Sequence, residues 1–283
     1  MQIVDNKAVL LRLRHPAKVT TVIPRSQALP DNQVLVKWGI DEAHVLKNLN
    51  IKVPSPIEGK YTWTGKHTPF DHQKTTASFL TMHKRAFCFN EQGTGKTASA
   101  IWASDYLLNA KVISRVLVIC PLSIMDSAWR NDLFTFAMHR KVGVAYGSKK
   151  KRTEVIESDA EYVVINYDGV NIVEEVITKG GFDLIIVDEA THYKNAQTKR
   201  WKTLKRLMTS EPWLWMMTGT PAAQSPVDAF GLAKLVNPAA VPRFAGAFRD
   251  RVMTKVTNFR WVPKPDATET VYQVLQPAIR YTK

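Results

Sequence analysis

Glu91-Gln92-Gly93-Thr94-Gly95-Lys96-Thr97 combines residue types suited to holding a polyphosphate. Gly93 and Gly95 allow a tight turn whose N–H groups aim at phosphate oxygens, and Gln92 and Thr94 complete the loop. A strand-like run precedes the segment and a helix-like run follows, so a positive helix end faces the anion. Lys96 would then reach the β and γ phosphates, and the Thr97 hydroxyl would hold Mg²⁺. Asn90 stands where the strict G-x-x-x-x-G-K-[ST] pattern has its first Gly, but the Gly-x-Gly-Lys-Thr core is whole. A second chemical element follows the apolar run Leu184-Ile185-Ile186-Val187, which ends in Asp188-Glu189. There Asp188 can hold Mg²⁺ through water and Glu189 can polarise an attacking water, the division of labour phosphoanhydride hydrolysis needs. Taken alone, the acids also suit a solvated helix N-terminus. The pocket requires the two segments to meet across adjoining strand ends.

The elements that must position these residues alternate. Strands are expected at Ala86–Asn90, Arg115–Cys120, Val142–Tyr146, Tyr162–Asn166, Leu184–Val187 and Trp213–Met217, with helix-like segments between them. Several are continuous apolar runs, as in a parallel sheet buried on both faces. The pattern predicts an α/β domain over residues 66–283. Residues 1–65 read as a small β-rich module, with strands expected at Ala8–Leu13, Lys18–Ile23 and Val34–Trp38. A short helix is expected over Asp41–Leu49, then a connector with Pro54, Pro56 and Gly59.

With 45% hydrophobic and 23% charged residues over 283 positions, a disordered chain is excluded. No apolar run approaches the ~20 residues of a membrane span, and Met1–Asn6 lacks the layout of a secretory signal. Cys88 and Cys120 sit in strand-like runs without metal-ligand spacing and read as buried reduced thiols, which points to a reducing, cytoplasmic setting. Lys plus Arg is 39 against 25 Asp plus Glu, a net charge of +14, which points to a polyanionic partner. Three basic clusters stand out: Lys149–Arg152; Lys194, Lys199, Arg200, Lys202, Lys205 and Arg206; and Arg243, Arg249, Arg251, Lys255, Arg260 and Lys264. Each suits a solvated face as well as a phosphate-tracking surface. Trp102, Trp201, Trp213 and Trp215 fall in helix or strand runs and are expected to pack in the core.

Over residues 66–283 the order of motifs resembles the superfamily-2 helicase motors, specifically the Snf-type ATPases of chromatin remodellers and their compact bacteriophage relatives. Pro69-Phe70-Asp71-His72-Gln73 is similar to the family's adenine-reading Q motif, although Thr68-Pro69 also suits a helix start. Val118–Ser123 resembles motif Ia and Ile165–Asp168 lies where motif Ib falls; the resemblance implies that Pro121, Leu122, Ser123 and Tyr167 track the nucleic-acid backbone. Strand-end turn chemistry is the alternative for Pro121 and Tyr167. Asp188-Glu189-Ala190-Thr191 is similar to a DEAH box with Thr191 in place of the His and His192 one position later; Lys194-Asn195 continues the pattern, with Lys194 on DNA. Met217-Thr218-Gly219-Thr220-Pro221 is similar to motif III, which implies that Thr218, Gly219 and Thr220 couple nucleotide state to DNA grip.

The resemblance implies a RecA-like lobe that uses ATP and Mg²⁺ and acts on duplex or branched DNA, as a monomer and away from membranes. No Gln-x-x-Gly-Arg-x-x-Arg run occurs in residues 1–283. The expectation is therefore that this is the N-terminal half of a two-lobed translocase or helicase, weakly active or inactive alone. The alternatives are a motor subunit of a restriction or repair complex, and a nucleotide-gated binding module without turnover.

Overall fold

The structure, a computed structural model, describes residues 1–222, 224–257 and 259–283. Strands β1 (Gln2–Val4), β2 (Ala8–Arg12), β3 (Gln27–Leu29) and β4 (Gln33–Lys37) form an antiparallel sheet in the order β1-β2-β4-β3, with α1 (Ala17–Val22) between β2 and β3. Alternation sets its buried face: Val9 and Leu11 on β2 and Val34 and Val36 on β4 point inward, while Arg12 and Lys37 are exposed.

The strand expected at Lys18–Ile23 is instead helix α1. Pro16 has φ −53°, already helical, and its missing N–H costs nothing at a helix start. Val19 and Ile23, four residues apart, fall on one face and are both buried. The Thr21 hydroxyl donates to Ala17 O at 2.8 Å, within the helix. A β-branched run thus became a helix because its burial pattern has period four. The edge strands β1 and β3 were not anticipated; they are three residues each, and β3 is fully exposed.

Helices α2 (Ile40–Asn48), α3 (Ile57–Lys60) and α4 (Asp71–Thr81) lead into the larger part. The C-terminal end of α4 receives two side chains of α2. His44 Nε2 lies 2.8 Å from Thr81 O, and Lys47 Nζ donates to Met82 O at 2.7 Å. Both bonds satisfy carbonyls that a helix end leaves without partners, and the ammonium also suits the negative dipole end. Trp38 Nε1 donates to Pro54 O at 2.9 Å, tying the small sheet to the connector.

Strands and helices then alternate as β5 (Arg85–Cys88), α5 (Lys96–Asn109), β6 (Val116–Cys120), α6 (Asn131–Phe136), β7 (Val142–Ala145), α7 (Lys149–Glu157), β8 (Tyr162–Asn166), α8 (Tyr167–Ile172), α9 (Glu174–Lys179), β9 (Leu184–Val187), α10 (Lys199–Leu207) and β10 (Trp213–Met217). They are followed by α11 (Ala229–Val236), α12 (Ala245–Val252), the hairpin β11 (Met253–Lys255) and β12 (Trp261–Pro263), α13 (Ala267–Val274) and β13 (Ala278–Ile279). The expected strands are present, and β13 adds a seventh to the sheet, which has the order β13-β5-β10-β9-β6-β8-β7. Every pairing in it is parallel.

Each strand feeds two cores. Leu117, Ile119, Leu214 and Met216 face α8 to α12, while Val116, Val118, Trp213, Trp215 and Met217 face α4, α5 and α6. Trp102, Trp213 and Trp215 are buried, as expected, and Trp201 packs against the first core. Asp105 on α5 is fully buried and accepts from Tyr61 Oη at 2.6 Å and Arg140 Nε at 2.6 Å, with His139 Nε2 at 3.0 Å. It joins the connector, α5 and the loop before β7. Burial and the adjacent carboxylate push the Tyr61 hydroxyl far above its ordinary range.

The junction between α2 and α4 holds two histidines that should make stability depend on pH. Burial pushes His83 down to about 4 from an ordinary 6.5, and burial lowers His44 as well. The unfolded chain therefore takes up protons first as pH falls. The contribution of these rings is complete above about pH 6.5 and is lost progressively toward pH 4. The thermal midpoint should drop between pH 7 and pH 5 by roughly a few degrees. A His44→Gln/His83→Gln double variant, compared by calorimetry, should show a visibly smaller drop.

Candidate nucleotide site

Asn90 lies 0% exposed just beyond β5 and clamps the start of the loop. Its Nδ2 donates to Thr76 Oγ1 at 2.9 Å and its Oδ1 accepts from Tyr281 N at 3.0 Å. The departure from the strict glycine pattern is thus a fixed anchor between α4 and the segment after β13. Glu91 N donates to Tyr281 O at 2.9 Å, which extends the same pairing.

Gly93 and Gly95 have φ of +82° and +78°, a region that side chains rarely enter. A Cβ on Gly95 would lie 2.1 Å from Gln73 Nε2. Thr94 between them turns inward, its Oγ1 donating to Glu91 O at 2.7 Å. Its carbonyl is held from α4 by Gln73 Nε2 at 3.3 Å and faces His72 Nε2 at 2.9 Å. The other end of the Gln73 amide accepts from Phe70 N at 3.0 Å and closes the first turn of α4. The structure therefore places the expected adenine-reading amide beside the loop, where it serves as cap and clamp; the helix begins at Asp71 rather than at Pro69. The Phe70 ring is 68% exposed, stacked at 5.7 Å on His72, which in turn meets Tyr281 at 5.6 Å. His72, Tyr281 and Lys283, whose Nζ would lie 2.8 Å from a Cβ on Gly93, were not picked out from the sequence. Tyr281 and Lys283 come from some 190 residues away, so no local spacing signals them.

Lys96 opens the 14-residue α5, is 8% exposed, and its Nζ reaches Glu91 O at 3.4 Å. Thr97 follows it, half-buried, and Gln92 and Gly93 are exposed above. The ammonium is thus nearly buried at the positive end of α5.

Asp188 directly follows β9 and is 7% exposed. Its Oδ2 accepts from Trp129 Nε1 at 2.9 Å and its Oδ1 from Glu189 N at 2.9 Å. Burial raises its pKa, opposed by these bonds and by the Lys96 charge. Trp129 sits on a π-helical turn, Met125–Arg130, a geometry frequent at functional sites. Glu189 has φ +47°, a left-handed conformation costly for a residue with a Cβ. Between the loop and the acids runs β10: the strands carrying them are next-nearest neighbours, not adjoining as the sequence reading had it. Beyond β10, Thr218 is fully buried and its N donates to Cys88 O at 3.0 Å, while Thr220 N donates to Thr218 Oγ1 at 3.3 Å. Gly219 faces the backbone of Asn90–Gln92, where even a Cβ would sit 3.7 Å from Glu91 Cα, and Thr220 is exposed.

The SNF2-related domain matches residues 72–282, most of the chain. The chain belongs to the SNF2-related family. Within superfamily 2 its lobe is of the Snf type, and its fold is RecA-like. Over 159 residues it is 28% identical to an uncharacterised ATP-dependent helicase of Mycoplasma genitalium, covering 56% of this chain and 15% of that protein. Over 153 residues it is 24% identical to the Drosophila melanogaster SWI/SNF-related matrix-associated actin-dependent regulator of chromatin subfamily A-like protein 1, covering 54% and 20%. The chain thus matches a fifth or less of either relative's length. A Sulfolobus solfataricus SWI2/SNF2 ATPase core solved in complex with dsDNA shares the fold, with a TM-score of 0.66, 23% identity, and coverage of 78% of this chain and 46% of that one.

The remaining SNF2 motif residues lie at the same carboxyl edge of the sheet. Leu122 is 53% exposed, Ser123 is exposed and Pro121 is half-buried. Tyr167 is placed differently from its expected surface role: it is 6% exposed and its hydroxyl donates to Asp188 O at 2.6 Å, bracing the acids from below. Lys194 is half-buried and bonded to Gln224 Oε1 at 2.5 Å and Asp228 Oδ2 at 3.0 Å, so it organises the segment after Thr220. His192 is exposed beside the Tyr167 ring at 4.7 Å, with Arg200 Nη1 3.3 Å from its Nδ1. Arg152 leaves the basic cluster on α7: it is 5% exposed and donates to Ala145 O, Gly147 O and Asn166 Oδ1. Lys149, Lys150 and Lys151 stay exposed.

Gly95→Ala should cost about 1–2 kcal/mol, because Ala must adopt a left-handed backbone, and should displace Gln73 from Thr94 O. Urea unfolding checks the first effect and nucleotide titration the second; an Ala variant as stable as the parent would contradict the loop geometry.

Proposed function

We propose that this chain is the ATP-binding half of a DNA translocase or helicase, holding ATP with Mg²⁺ in the 91–97 loop and the DNA backbone along the carboxyl edge of its sheet. One observation carries the reading: a nearly buried Lys96, at the end of the loop that follows β5, and a nearly buried Asp188, directly after β9, belong to strands separated by a single strand. Amides of the Gly93–Lys96 turn and the α5 dipole would cradle the β phosphate, with Lys96 on the β and γ oxygens. Mg²⁺, when bound, would supply charge neutralisation for the phosphates. The residues that would hold it are Thr97 and Asp188, whose carboxylate Trp129 already orients. Glu189 orients and polarises the water that attacks the γ phosphorus, and Phe70, Gln73 and Tyr281 border the space for the base.

Residues 121–123, with the exposed lysines and arginines, would track phosphates without reading bases. The dsDNA in the Sulfolobus complex belongs to that protein and supports duplex as the substrate class here. The arginines that complete such a site in the family reside in a second lobe, and they are worth roughly 10³–10⁵ in turnover. Residues 1–283 alone should therefore bind ATP and turn it over very slowly, as a monomer in the cytoplasm.

Titration with fluorescent methylanthraniloyl-ATP tests the site. Lys96→Ala should weaken binding at least about tenfold, a loss of roughly 1.4 kcal/mol or more, while Glu189→Gln should retain nucleotide. In the two-lobed protein both variants should lose turnover. Unchanged binding by the Lys96 variant would refute the loop assignment. Duplex affinity should also fall steeply between 50 and 200 mM salt, measured by fluorescence anisotropy; a flat titration would refute the phosphate-tracking surface.

A further inference from the structure

The β11–β12 hairpin has no part in the nucleotide site, and its tip presents an aromatic ring to solvent. Phe259 is 98% exposed and Val256 56% exposed. A solvent-facing Phe on a loose loop would be ordinary. Here the turn is pinned: Val256 N and Thr257 N donate to Arg260 O at 2.9 and 3.2 Å, and Thr257 Oγ1 accepts from Phe259 N at 3.3 Å and Arg260 N at 3.1 Å. At the base, Lys264 N donates to Val252 O at 2.9 Å and the Arg249 guanidinium lies 4.0 Å from the Trp261 ring centre. The ring is held out on a firm support.

Charge around it is one-sided. Between residues 243 and 264 six cations accompany a single carboxylate, Asp250, and Arg249 engages that carboxylate at 3.1 Å. Lys255 and Arg260, both exposed, flank Phe259. The support is also continuous with the coupling segment. Helix α12 packs against the Pro226–Asp228 turn, whose Asp228 holds Lys194, and Phe248 of α12 meets Phe230 of α11 at 5.7 Å.

We propose that this tip is a nucleic-acid wedge: Phe259 stacks on an open base or base step at a DNA fork, while Lys255 and Arg260 grip the flanking phosphates. Every base offers a flat face to an aromatic ring, and apolar side chains inserted at base steps unstack them. An apolar protein surface would leave the surrounding cations without counter-charge, whereas a polyanion with aromatic faces matches both features. The proposal rests on the DNA-binding reading above and adds the part of the DNA that the hairpin meets.

The test uses residues 1–283 with fluorescein-labelled forked and fully paired duplexes of equal length at fixed salt, the fork carrying 2-aminopurine at its junction. Phe259→Ala should weaken fork binding about five- to tenfold or more and remove the 2-aminopurine response, while changing affinity for paired duplex by less than about twofold. Phe259→Trp should restore both signals. Lys255→Ala with Arg260→Ala should weaken both DNAs and lower the salt slope by about 2. Methylanthraniloyl-ATP binding should be unchanged in all of these variants. A Phe259→Ala chain that binds the fork like the parent overturns the wedge and leaves the ATPase reading standing. A parent chain that binds neither nucleotide nor DNA overturns both.

Discussion

The site depends on the parallel register of three strands. Met217 pairs with Cys88 on one side of β10, and Met216 pairs with Val187 on the other. That register brings the phosphate loop, Thr218 and Asp188 to one edge of the sheet, with β10 as the only strand between the two chemical halves. Strands lie about 4.8 Å apart, so next-nearest strand ends are separated by about 10 Å. A gap of that width has room for a phosphate group between the loop after β5 and the acids after β9.

Such a pocket carries strained and desolvated groups, and the surrounding chain holds them in place. Glu189 adopts a left-handed backbone, and Tyr167 beneath donates to the carbonyl of Asp188. Asp188 is nearly buried with both oxygens already hydrogen-bonded, which keeps a desolvated carboxylate tolerable. The loop is clamped from α4 through Thr94 and from the segment after β13 through Asn90. Pre-set donors of this kind need not reorganise when a charged substrate arrives. Gly219 faces the backbone of Asn90–Gln92, which places the Thr218–Thr220 segment alongside the loop.

Much of this was legible in the sequence, for identifiable reasons. Apolar runs buried on both faces marked the six inner and flanking strands, and the Gly-x-Gly-Lys-Thr core and the acid pair marked the pocket. What escaped had no local signature. Strand β13 is two residues long and exists only because β5 offers an open edge. The anchoring role of Asn90 needs Thr76 and Tyr281, which lie 14 and 191 positions away. Helix α1 was hidden by β-branched residues, whose preference for strands gave way to packing of Val19 and Ile23 on the small sheet. Tyr167 and Arg152 carry polar groups that look fit for a surface, yet each satisfies buried backbone carbonyls.

Arg152 also shows why counting cations is a poor map of a binding surface. Arg115 donates to Ile156 O and Ser158 O near the end of α7 and to Gly180 O after α9, an internal role for a charged group. Arg140 is taken up by Asp105 and Glu161, and Arg206 by Glu174. The acids are engaged as well: Asp105, Glu161, Glu174 and Asp228 all face cations within the fold. With 25 acids against 39 bases, internal pairing uses the scarcer sign and leaves the surplus outward. The outward charge is therefore richer in cations than the composition implies, and it gathers where carboxylates are scarce, as around the β11–β12 hairpin.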